Sequence, residues 1–266
     1  ILSEPFDSVE DTADRLKRTE THLREQADLR SVFLTVYTTM TDTVQSGIES
    51  GRFDDPAWVR EYLVTFAEYY RRAFLAFERR DFESVPPPWR IAFAESVQGE
   101  TLVTQDALLG INAHINYDLS YALDEVSIDP NRERKRADHD RINDVLERLT
   151  DVVQETLVSV YDAIGVAEID ALLGDFDERI SLLGLERSRR FAWRNAVLLA
   201  DGPSWLAPRY VDWRTRTVSV GAAYVVLGPQ FDPEIRTRIR EQTDGVSMTR
   251  FNEAFERHVP ETLLGR

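Results

Sequence analysis

An all-α fold is what this sequence predicts, and three observations carry it. Apolar residues recur every three to four positions along the whole of the 266 residues. Glycine and proline fall between these periodic stretches, at Gly51, Pro86, Gly99, Pro130 and Gly202 among others. Only one segment, 217–227 (TVSVGAAYVVL), leaves strand and helix unseparated. About nine or ten helices in a single domain over 1–266 are expected, with 42% hydrophobic residues to fill a core and no repeat or linker to divide it.

Taken in order, the first helix is expected over 8–27, with Ala13, Leu16, Leu23 and Ala27 near one stripe. The second runs over 29–50 and stops at Gly51. Asp55-Pro56 then supplies an N-cap followed by a first-turn proline. The helix behind it carries Trp58, Tyr62, Phe66, Tyr69, Ala73 and Phe77, a broad aromatic face that reads as core. Three prolines at 86–88 interrupt the pattern, and a short helix starts near Trp89. A helix over 102–123 and a long one over 132–164, joined by the loop at 128–131, make a central helical hairpin over 102–164. Shorter helices are expected over 169–183 and 186–200, and residues 201–266 form a C-terminal extension whose last helix spans 248–258. Trp193, Trp205 and Trp213 read as packing residues.

Charge and composition exclude several functions. With 47 Asp and Glu against 32 Lys and Arg, the net charge is −15, so no global positive field exists for nucleic-acid binding. The absence of cysteine removes disulfides, thiolate-bound metal and a cysteine nucleophile. Only Lys17 and Lys135 are lysines; an acidic, lysine-poor surface fits a protein adapted to concentrated salt. No run of 18 apolar residues spans a membrane, and the N-terminal ILSEPFDSVED shows no signal peptide, so a cytoplasmic location is expected.

One helix looks wrong for a core. The segment 108–119 (LLGINAHINYDL) is apolar enough to be central yet holds two asparagines, a histidine and an aspartate. His114 and Asp118, four apart, stack on one face together with Tyr121, while Asn112 and Asn116 share another. Short polar groups on both sides of an apolar helix imply an internal hydrogen-bond network. On the long helix, Ile142, Val145, Leu149, Val152, Thr156 and Val160 form the apolar stripe, and Asp138 projects from its middle with His139 and Asn143 on its flank. Antiparallel packing is expected to bring Asp138 and Asn143 level with His114 and Asp118.

Two readings of this network stay open. In one, His114, Asp118 and Asp138 are catalytic: they ligate one divalent metal ion, or His114 is a general base oriented by Asp118, in a hydrolase. Asn112, Asn116, Asn143 and Tyr121 then hold a small-molecule substrate or support the first groups. In the other, the network is structural, and the protein binds or assembles without catalysis. The run LLGINAHINYDLSYAL, the PPPWRIAF segment before it and the Asp138 to Asn143 spacing after it resemble a helical family classified only as a domain of unknown function. The resemblance spans about 30–200 and implies that Asn112, His114, Asn116, Asp118, Asp138 and Asn143 are signature positions. A weaker likeness, to helical zinc-dependent phospholipase C-like folds, implies a metal cluster, but only His22, His114, His139 and His258 are present to build one. His139-Asp140 after His114 also matches the order of helical metal phosphohydrolases, with Asp162 or Asp201 as a last ligand. P-loop, zincin and nucleophile-elbow motifs are absent. Arg187, Arg189, Arg190 and Arg194 either clamp an anionic substrate or form a solvated face.

Overall fold

Helix ends follow local chemistry. In the computed structural model, which describes residues 1–163, 183–228 and 247–259 together with Gly174, Arg179 and Ile180, α1 (Val9–Glu25) is capped by the Ser8 hydroxyl accepting the Asp11 N–H at 3.1 Å. Helix α2 (Ser31–Glu49) stops before Gly51, which takes the left-handed φ of 73°. Asp55 caps α3 (Pro56–Glu78) by accepting the Trp58 N–H at 3.2 Å. Helix α4 (Pro87–Gln98) starts two residues ahead of Trp89, because proline fits a first turn whose N–H groups have no intrahelical partner.

Next comes a continuous rod: α5 (Val103–Asn112), a π-helical segment (Ala113–Asp118) and α6 (Leu119–Glu125). Helices α7 (Arg132–Ala163), α8 (Leu185–Asp201), α9 (Ala207–Leu227) and α10 (Ser247–His258) follow. Counting the rod once, the described residues form nine helices and no strand. None is long and apolar enough to cross a membrane.

The rod is central. Helices α3, α4, α8 and α9 pack around its π segment, α2 lies along α5 and sets the Phe33 and Tyr37 rings against His114, and Leu108, Leu109, Ala113, Leu119 and Leu123 are buried. The ambiguous stretch 217–227 is helical: Thr215, Ser219, Ala223 and Val226 recur at helical spacing and face inward on α9. Trp193 is buried, but Trp205 and Trp213 are 71% and 61% exposed, contrary to their reading as packing residues. Helix α9 packs through its small residues, which turns the tryptophan face outward.

The expected hairpin partners do not lie face to face. Helix α7 packs against α2, α3, α8 and α10, while α8 occupies the place along α6 and the π segment. Polar groups on α7 find their partners in the α2–α3 loop and on α8, as described below. The helix expected over 169–183 lies outside the described residues except for Gly174, Arg179, Ile180 and Leu183, as do the side chains of Val160 and Asp162.

Candidate functional site

The middle of the rod is enclosed on every side, so its polar side chains must pair internally. All six residues of the π segment are buried. Such wide turns occur mostly as single-turn insertions inside α-helices, often at functional sites. Asn112 and Asn116 form one internal pair: the Asn116 amide donates to Asn112 Oδ1 at 2.9 Å, and Asn112 Nδ2 donates to the Ser219 carbonyl of α9 at 2.8 Å. These two residues tie the rod to α9. Tyr121 also faces α9, its hydroxyl 3.1 Å from Thr215 Oγ1 and donating to Asp212 at 3.3 Å.

His114 and Asp118 form the second pair. Nδ1 and Oδ2 lie 2.9 Å apart, and the Trp89 indole N–H donates to the same Oδ2 at 2.7 Å. The imidazole stacks on Phe66 with centroids 3.5 Å apart and 8° between planes, and Tyr37 meets it edge-on at 4.6 Å. Burial in this aromatic cage holds the imidazole pKa well below its usual value. The same burial pushes the Asp118 carboxyl well above the usual carboxylate range, against the opposing effect of the Trp89 bond. Both groups are therefore driven towards their neutral forms. One neutral arrangement places the shared proton on Asp118 Oδ2, with Nδ1 accepting it and Nε2 carrying the imidazole N–H. Neither Nε2 nor Asp118 Oδ1 has a partner among the described residues.

Nε2 belongs to the one residue that joins this pair to open space. His114 lines an apolar cavity of about 40 Å³ walled by Phe33, Val36, Met40, Phe66, Leu149 and Val153. Leu146, Thr150, Ile180 and Leu185 line both this cavity and an outer cleft of about 500 Å³. A polar atom without a partner beside such a cavity marks where a ligand or water would bond.

Asp138 lies elsewhere. Its carboxylate accepts the backbone N–H groups of Asp54 at 2.8 Å and Asp55 at 2.6 Å, and also pairs with Arg141. It thus anchors the entry to α3 rather than meeting His114. Asn143 accepts the Arg189 Nε–H at 2.8 Å. His139, fully buried, receives the Tyr62 hydroxyl at Nδ1 (3.0 Å) and belongs to the Arg189 cluster. Burial, then the nearby Arg189 charge, lowers its pKa well below the usual value. His22 is exposed, and the His258 ring bonds its own helix at the Ala254 carbonyl.

Among the described residues, no three His, Cys, Asp or Glu side chains gather as metal ligands. With Asp138 engaged at α3, the expected ligand set reduces to His114 and Asp118. Composition and periodicity did not single out Phe66 as a ring platform, Trp89 as a donor, or the buried Asp106. Trp89 stands in the PPPWRIAF run, and Asp106 directly precedes the apolar Ala107-Leu108-Leu109; both signals were present. The Asp106 carboxyl accepts Ser96 and Thr101 hydroxyls at 2.7 and 2.8 Å, and burial raises its pKa to about 7.

Fold and site define a class: an all-helical protein whose central rod carries a buried histidine–carboxyl pair beside an apolar cavity. The chain belongs to the family described as Family of unknown function (DUF5995), which matches residues 9–229. Membership in a helical family of unknown function was the expectation, and the match extends beyond the 30–200 span. No curated protein and no solved structure matches the chain. The likeness to zinc-dependent phospholipase C-like folds is not supported, since the described residues assemble no histidine-rich metal cluster.

Proposed function

We propose that this protein binds a small, largely apolar molecule against His114, and that His114 and Asp118 act on it as a proton relay. The unpartnered, buried Nε2 of a residue that lines the cavity carries this reading. When Nε2 gives its proton to a basic atom of the ligand, the Asp118 proton moves to Nδ1. The new carboxylate is then held by the Nδ1–H and by the Trp89 indole N–H. Run in reverse, the same relay is the general base that a hydrolysis requires. A metal-assisted version has only His114 and Asp118 to offer as ligands. The acidic, lysine-poor composition supports a salt-rich cytoplasm as its working compartment.

The alternative is a purely structural network, favoured by the complete burial of Asp118 and the tight stack of His114 on Phe66. Titration with small neutral amides and ketones, followed by imidazole ¹⁵N resonances, separates the two. Binding should shift the Nε2 resonance of His114, raise Tm and vanish in His114→Phe. Silence at His114 across the series, with a large stability loss in the variant, would favour the structural network instead.

A further inference from the structure

We infer that Arg189 makes this cavity a receptor for a small carboxylate with a short apolar tail; this rests on the cavity reading above and names the chemistry of its occupant. Of the four arginines clustered on α8, Arg187, Arg190 and Arg194 are exposed, and Arg190 pairs with Glu186. Arg189 alone turns inward and is 1% exposed. Three other inward-facing arginines meet a carboxylate, and Arg179 donates to the backbone carbonyls of Val225, Val226 and Gly228. Arg71 bonds Glu68 at 2.8 Å, Arg15 bonds Asp11 at 2.9 Å, and Arg30 bonds both Asp28 and Glu78.

Arg189 departs from that pattern. Its Nε donates to Asn143, and its Nη2 donates to the His139 carbonyl and lies 3.2 Å from His139 Nδ1. These partners are neutral, because burial keeps His139 uncharged. The Tyr62 hydroxyl also bonds the guanidinium, and no carboxylate among the described residues pairs with it. A buried cation without a counter-charge is strongly destabilising and calls for an anion.

Arg189 lines the same cavity as His114, and also an adjoining one of about 20 Å³ beside Tyr62 and Ile142. The planar guanidinium suits a carboxylate, which takes two parallel N–H bonds. Val36, Met40, Leu146, Leu149 and Val153 suit an apolar tail, and about 40 Å³ keeps that tail short. His114 lines the same cavity and adds a second polar side chain to it. The outer cleft holds Asp140, Asp144, Glu147, Asp151 and Glu186, so an anion approaches against negative charge. Association should therefore speed up as salt is added, since screening acts on the exposed cleft more than on the buried guanidinium.

The test compares isobutyrate with isobutyramide, a neutral molecule of nearly the same shape, by calorimetry and thermal shift at matched ionic strength. Isobutyrate should bind saturably and about tenfold tighter than the amide, or better. Arg189→Met should abolish that preference, bringing the isobutyrate-to-isobutyramide affinity ratio to about one. Equal binding of the two by the native protein overturns the carboxylate assignment and leaves the cavity reading standing. Binding of neither overturns both. Should Arg189→Met fail to fold, the native ratio decides by itself, and Arg189→Lys should retain a reduced preference.

Discussion

At the scale of single residues, the core is governed by burial acting on ionisable groups. His114 and Asp118 are pushed in opposite directions along the pH scale by the same desolvation, which is why a proton can be stored between them. Asp106 lets this physics be measured away from the cavity. Its pKa is about 7 in the folded protein against 3.8 ordinarily, so its stabilising contribution is full below pH 3.8 and is lost as pH rises through 7. Asp106→Asn keeps the Oδ1 acceptor for Ser96 and Thr101 but cannot ionise. Between those limits the native protein should lose stability relative to the variant by an amount on the order of 4 kcal/mol. Urea denaturation of both proteins across the range checks this; parallel pH curves would sink it. His114 carries the opposite sign, since its lowered pKa makes stability fall as pH drops below its ordinary value.

Between elements, close approach matters more than helix propensity. Gly110 lies where α5 meets α2, and a Cβ built there would stand 2.4 Å from Phe33 Cγ and 2.7 Å from Phe33 Cβ. The Phe33 Cβ is fixed to its backbone, so rotating the ring gives no relief. Gly110→Ala should therefore destabilise by about 1–3 kcal/mol through overpacking. Phe33 also walls the cavity, so the His114 ring resonances should move in the same variant. An unchanged denaturation midpoint would show that α2 and α5 can separate freely. Asp138 illustrates a different inter-element role: its carboxylate replaces helix-end carbonyls as the acceptor for the N–H groups leading into α3, the helix that presents Phe66 to His114.

For the molecule as a whole, self-repulsion sets the response to solvent. A net charge of −15 opposes compaction, and screening relieves it. Raising KCl from about 0.1 M to about 1 M shortens the Debye length from roughly 10 Å to 3 Å. A Tm rise of about 5 °C, equivalent to roughly 1–2 kcal/mol for a chain of this length, is the expected outcome. A flat thermal profile across that range would remove the case for salt adaptation. The surface arginines temper the effect, since Arg132, Arg141 and Arg216 already sit within pairs or networks of carboxylates.

Much of this was legible from residue order, because helix periodicity, caps and breakers act over a few neighbouring positions. The all-helical class, the Asp55 cap, the aromatic core face of α3 and the His114–Asp118 and Asn112–Asn116 pairs all follow from spacing of that range. Arg189 was within reach too: it lies in phase with Ala192, Trp193 and Ala196, the buried stripe of α8. What spacing leaves open is which element lies against which. Placing α8 beside the π segment, Asp138 under the α3 entry, and Arg189 and His114 on one cavity depends on contacts between residues tens of positions apart. A single i,i+4 pair is decided by one turn of backbone. The neighbour of a helix is decided by the simultaneous packing and polar pairing of all its faces, and only the folded chain resolves that competition.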